Sequence, residues 1–394
     1  MAIEAKAGAT AATSRRIRLG MVGGGEGAFI GGVHRFALRM DDQFELVAGA
    51  LASSAEKAKR SGEALGLAED RVYADFAAMA RAEAARADGI EAVSIVTPNH
   101  MHAPVAEAFL NAGIHVICDK PLATTVADAR RLQALATEKQ LLFAVTYNYS
   151  GYPMVRQARQ MVQDGLLGEI RVIQVEYPQD WLTEAIEAGG QKQADWRTDP
   201  SRAGVGGCIG DIGTHAYQLT RFITGLQPTE LLAELSTFVA GRRLDDNAQV
   251  LLRFASGARA TLWASQVAPG NENNLRIRVY GAKGGLEWKQ EHPNQLYWSP
   301  FGQATQIIAR GTGAAGSAAA RVTRIPPGHP EGYLEAFGTL YSEIALAIRA
   351  HRDGAQALDA AIQYPTVVDG VQGVEFVETV VKSAAARGTW VPLP

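Results

Sequence analysis

From residue 17 to about residue 150, short apolar runs alternate with stretches whose apolar residues recur at helical spacing. Arg18–Val22, Glu45–Gly49, Ala92–Thr97, His115–Cys118 and Leu141–Val145 read as strands. Val33–Arg39, Ala55–Leu65, Asp75–Ala85, Ala103–Asn111 and Val126–Glu138 read as the helices between them. Thr125 with Asp128 marks a helix start, and Gly113 after Asn111 a helix stop. Strand–helix alternation of this kind predicts a parallel sheet with helices on both faces.

Beyond that point the pattern changes. A helix over Pro153–Asp164 leads into a strand over Glu169–Glu176. After a further helix come strand-like runs at Leu231–Val239, Ala248–Phe254, Arg259–Gln266, Leu275–Tyr280, Leu286–Gln290 and Gln295–Trp298. No helical spacing separates these runs, and Ser256-Gly257 and Lys283-Gly284 suit hairpin turns, so an antiparallel sheet is expected. Gly311–Pro327 reads as a loop, followed by helices over Gly332–Arg352 and Gly370–Ala386. The predicted division is a flexible tail (1–16), an α/β domain (17–148) and an α+β domain (149–394).

Composition narrows the function classes. A net charge of -3 without a basic cluster gives no reason to expect nucleic acid or an anionic membrane as partner. No run is long and apolar enough for a membrane helix. Cys118 and Cys208 make neither a disulfide framework nor a zinc spacing, which points to a reducing, cytoplasmic setting and no metal centre.

Candidate chemistry lies where the predicted strands end. Gly23-x-Gly25-x-x-Ala28 follows the first strand and fits a dinucleotide fingerprint. In that reading Gly25 admits the pyrophosphate, Ala28 packs helix on strand, and Glu26, Gly27, Phe29 and Ile30 line the phosphates at a helix N-terminus. The acid that usually takes the ribose 2′-hydroxyl is missing after the second strand, where Ser53 and Ser54 stand instead. Lys57 and Arg60 follow, readable either as partners of a 2′-phosphate or as solvated helix residues. NAD is the expected cofactor, with NADP not excluded. Thr97, Pro98, Asn99 and His102 follow the third strand, placed for the nicotinamide half.

Asp119 and Lys120 come after the fourth strand, with Pro121 behind them. A partly desolvated lysine beside a nicotinamide suits general acid–base work. Asp211 and His215, four apart after a glycine-rich stretch, share a face if the segment is helical. A carboxylate and an imidazole so placed can orient a hydroxyl and move its proton, and a metal pair or a solvated Asp with a core His are the competing readings. Tyr149, Trp181, Trp196 and Arg197 are candidate walls of a sugar pocket, suited to stacking and hydrogen bonding.

Together the fingerprint, Thr97-Pro98-Asn99-x-x-His102, Asp119-Lys120-Pro121 and Gly210-Asp211-x-x-x-His215 resemble the Gfo/Idh/MocA oxidoreductases, over nearly the whole chain from residue 17. The resemblance implies a Rossmann domain followed by an α+β domain with a large open, mainly antiparallel sheet that often mediates homodimers or homotetramers. It implies Lys120 and His215 in proton transfer and Asp211 positioning substrate. Most members carry Glu-Lys-Pro where this chain has Asp119-Lys120-Pro121. The implied activity is NAD(P)-dependent oxidation of a secondary alcohol on a sugar or cyclic polyol. Two other outcomes stay open: an NAD-dependent glycosidase with transient oxidation, and a silent dinucleotide-binding sensor.

Overall fold

A computed structural model of the chain describes residues 15–355 and 357–394. The expected tail falls outside the described residues except for Arg15 and Arg16, which pair with Glu91 and Asp42, each at 2.5 Å.

The first sheet has five parallel strands in the order β2-β1-β3-β4-β5, formed by Ile17–Gly23 (β1), Phe44–Ala50 (β2), Ala92–Val96 (β3), His115–Cys118 (β4) and Phe143–Val145 (β5). Helices Phe29–Met40 (α1), Ala55–Ala64 (α2), Phe76–Ala85 (α3), His102–Asn111 (α4) and Val126–Glu138 (α5) connect and cover it. The starts are set locally: Ser54, Asp75 and Thr125 each accept a backbone N–H of the first turn. The order reverses at β1, so the carboxyl ends of β1 and β3 flank the crevice where ligands sit in such sheets.

The second sheet has nine strands. Ile170–Pro178 (β6) follows helix Pro153–Gln163 (α6). Short helices Lys192–Arg197 (α7) and Pro200–Ala203 (α8) then precede Thr214–Thr224 (α9). Next come Pro228–Ser236 (β7), Asn247–Phe254 (β8), Arg259–Ser265 (β9), Arg276–Gly281 (β10), Gly284–Lys289 (β11), Gln295–Pro300 (β12) and Gln306–Ala309 (β13). The order is β13-β12-β11-β10-β6-β9-β8-β7-β14, with β14 the short pair Val391–Pro392. Pairing is antiparallel except between β6 and β9, which run parallel because β6 enters from the first domain and sits mid-sheet. The expected loop Gly311–Pro327 contains a single helical turn, Ser317–Ala320 (α10).

Helices Tyr333–Arg352 (α11) and Val367–Ala385 (α12) close the chain, and both return to the first sheet. Phe337, Leu340, Tyr341 and Ile344 of α11 share a core with Leu19, Met21, Leu38 and Phe44. Along α12, Val371 and Val374 join the first-domain core while Phe376 and Val380 join the second. Burying each such side chain is worth about 1.5–3 kcal/mol, so apolar packing ties the two sheets together across the crevice.

Candidate active site

The glycine turn after β1 takes up left-handed backbone at Gly23 and Gly24, where φ is 79° and 72°. Gly25 donates its N–H to the Leu51 carbonyl at 3.1 Å, and a Cβ there would lie 2.6 Å from that oxygen. Close helix–strand packing, expected of Ala28, is made by Gly31: a Cβ on it would meet the Gly24 Cα at 2.4 Å. Ala28 instead caps α1, whose first turn has no side-chain cap and no acid. The open N-terminus leaves donors and the positive dipole end for phosphates. Glu26, Gly27 and Phe29 are exposed and Ile30 half-buried around it.

After β2, Ser54 spends its hydroxyl capping α2, accepting from Lys57 N–H at 3.3 Å, and Ser53 is exposed. At the end of β3 the Thr97 hydroxyl is buried without a partner among the described residues, as are Asn148 Nδ2 after β5 and His215 Nδ1. Orphaned polar atoms beside the crevice, with the open glycine turn, fit a dinucleotide. Asn99 Nδ2 donates to the Ala203 carbonyl at 3.0 Å, and Pro98 precedes it half-buried. His102 is buried between the end of β3 and the lysine loop. Its two ring nitrogens lie 2.7 Å from the Pro121 carbonyl and 2.9 Å from that of Thr97, so the imidazole braces the lysine loop against β3.

Lys120 emerges from the end of β4 with its ammonium directed across to the second domain. Nζ donates to the Asp211 carbonyl at 2.6 Å and to Oδ1 at 2.8 Å. Arg197 Nε and Gln266 Nε2 reach the other carboxylate oxygen at 3.2 and 2.9 Å. Burial alone would raise the Asp211 carboxyl. The charges of Lys120 and Arg197, then hydrogen bonds from Lys120 and Gln266, hold it well below the usual carboxylate range. Asp119 does not pair with that ammonium; its Oδ1 accepts from Lys120 N–H at 3.1 Å and Thr146 Oγ1 at 2.8 Å.

Asp211 sits in a π-helical turn, Ile209–Gly213, that runs straight into α9. Such turns recur at functional sites. Buried Asp245, before β8, moors the turn: its carboxylate accepts N–H from Gly207 at 2.5 Å and Ile209 at 2.8 Å, and the Cys208 thiol at 3.1 Å.

His215 opens α9 inside an aromatic box, with ring centroids of Tyr149, Tyr147 and Tyr177 at 4.9, 5.7 and 6.3 Å. Burial first, then Lys120, push the imidazole well below its ordinary range, against a smaller opposing pull from Asp211. A hydrogen-bond chain backs the box. Trp181 donates to Gln179 Oε1 at 3.1 Å, Gln179 to Asn273 Oδ1 at 2.7 Å, and Tyr177 O–H to the same oxygen at 2.7 Å, with Tyr149 bonded to Tyr177. Trp196 lies under the Arg197 guanidinium at 4.2 Å and so supports the Asp211 partner. The structure thus gathers Lys120, Asp211, His215, Tyr149 and Arg197 about one crevice. It adds Gln266, Tyr177 and Asn273, which no local motif marks: they are ordinary strand and loop residues brought in by the second sheet.

Residues 17–147 match the oxidoreductase family model with an NAD-binding Rossmann fold, and 155–287 the GFO/IDH/MocA C-terminal domain. The chain is 37% identical to YfiI of Bacillus subtilis, an uncharacterized oxidoreductase, over 96% of this chain and 97% of that protein. It is 40% identical to an inositol dehydrogenase homolog of Azotobacter vinelandii solved with NAD+, covering 96% and 98% with a TM-score of 0.93. Levoglucosan dehydrogenase of Pseudarthrobacter phenanthrenivorans is 27% identical over 96% and 99%.

Proposed function

The chain belongs to the Gfo/Idh/MocA oxidoreductase family, with an NAD-binding Rossmann domain, and on that premise we propose that it oxidises a secondary alcohol of a cyclic polyol or sugar. Relatives named for inositol and levoglucosan support the substrate class. The observation that carries the proposal is the Lys120–Asp211 pair, closed from behind by Arg197 and Gln266, beside a buried imidazole whose Nδ1 has no partner among the described residues.

When bound, the nicotinamide accepts or returns the hydride. The chain's own residues manage the hydroxyl proton. His215, kept neutral by burial, is free to take it. Lys120, aimed by two oxygens of Asp211, donates N–H toward the oxygen on which charge develops. With three of its four acceptor positions engaged by side chains or the lysine, Asp211 acts chiefly by orienting Lys120 and Arg197. Tyr149, Trp181, Trp196 and Arg197 wall the sugar, and the outward sheet face bearing Val172, Leu251 and Tyr280 joins copies into a homodimer or homotetramer.

The test is a panel of inositols, aldoses and glucosides followed at 340 nm with NAD+ and NADP+ in parallel. One polyol should be oxidised, and Lys120→Ala should lower its turnover about 10²- to 10³-fold while NADH affinity holds. A protein that binds NADH yet oxidises nothing in the panel overturns the proposal.

A further inference from the structure

The acid expected after β2 is absent, yet the corner it would occupy is not without negative charge. Residues 25 and 26 of the glycine turn are packed into that corner: Gly25 N–H reaches Leu51 just beyond β2, and Glu26 N–H reaches Ser61 Oγ on α2 at 3.0 Å. The Glu26 carboxylate lies 3.5 Å from Arg60, whose guanidinium also holds Glu56 at 2.7 Å. Glu26 and Arg60 keep 61% and 52% of their side-chain surface, so a ligand can reach both.

We infer that Glu26, from the glycine turn, takes the place of the missing strand-end acid and reads the ribose 2′ position of the cofactor. A ribose hydroxyl is a donor, and a carboxylate accepts from it. A 2′-phosphate is an anion, and it meets one carboxylate directly and an arginine already held between two. Lys57, one turn before Ser61 on α2, carries the opposing charge, so Glu26 sets a margin for NADH over NADPH rather than an absolute bar. This inference concerns the nucleotide site alone and holds or fails apart from the polyol proposal.

The full-length protein is titrated with NADH and with NADPH, following quenching of intrinsic fluorescence, without substrate. Wild type should bind NADH more tightly, and the margin should shrink at about 1 M ionic strength, where charges are screened within a few ångströms. Glu26→Gln removes the repulsion and frees one side of Arg60, narrowing the margin about tenfold, or about 1.4 kcal/mol. Glu26→Gln with Glu56→Gln should narrow it further, and adding Arg60→Ala to the pair should undo the gain in NADPH affinity. An unchanged margin in Glu26→Gln, or a wild type that prefers NADPH, overturns the inference. All three positions are exposed, and a melting curve on each variant separates misfolding from altered recognition.

Discussion

Asp211 is where the charges of the site meet. It is one anion between two cations, and Asp211→Asn keeps its shape while removing that balance. Lys120 and Arg197 would then repel across the turn. We expect turnover to fall with NADH affinity unchanged, and stability to drop by about 1–3 kcal/mol in urea titration. That lies below the about 3–5 kcal/mol of a fully buried pair, because Arg197 keeps a quarter of its side chain in water. Lys120, Asp211 and His215 were legible because each sits in a short pattern of glycine, proline and charge. Gln266 and Asn273 were not: an amide in a strand or loop has no local mark, and its role comes from where the sheet delivers it, 55 positions from Asp211 in the case of Gln266.

Among elements, the strand–helix alternation of the first domain could be read because its strands are short, mostly apolar runs and three of its helices open on a capping Ser54, Asp75 or Thr125. The parallel seam of β6 and β9 could not, since an alternating strand reads the same in either direction. Spacing also suggested an ordinary helix through Asp211, where the chain makes a π turn. That turn depends on Asp245, a buried carboxylate that burial pushes above its ordinary range despite N–H bonds from Ile209 and Gly207. Asp245→Ala strips the moorings of the segment carrying Asp211. The expected cost is about 1–2 kcal/mol, as for a lost helix cap, with kcat reduced and NADH binding retained. Equal loss of NADH binding would show that the damage is not confined to the turn.

Across the whole molecule, His34, His102, His115 and His215 are buried with pKa values pushed down, chiefly by loss of water, His115 to about 4. Their folded-state values lie below the unfolded one, so below about pH 6.5 the unfolded chain binds more protons than the native one. Stability should be full above about pH 7 and fall as pH drops through 6, by up to about 1.4 kcal/mol per pH unit for each histidine. Urea midpoints at pH 7.5, 6.5 and 5.5 check this; a flat or rising trend toward acid contradicts it. The long closing helices carry one more consequence. Because α11 lies on the nucleotide sheet and α12 is rooted in both cores, the crevice is a braced slot, not a pair of jaws. A substrate enters an opening whose walls are already standing, and choice among substrates then rests on which of their groups meet a waiting partner. Cutting the chain after β5 would strip the nucleotide fold of the roof over Met21, Leu38 and Phe44, so the two halves are separate in pattern yet inseparable as objects.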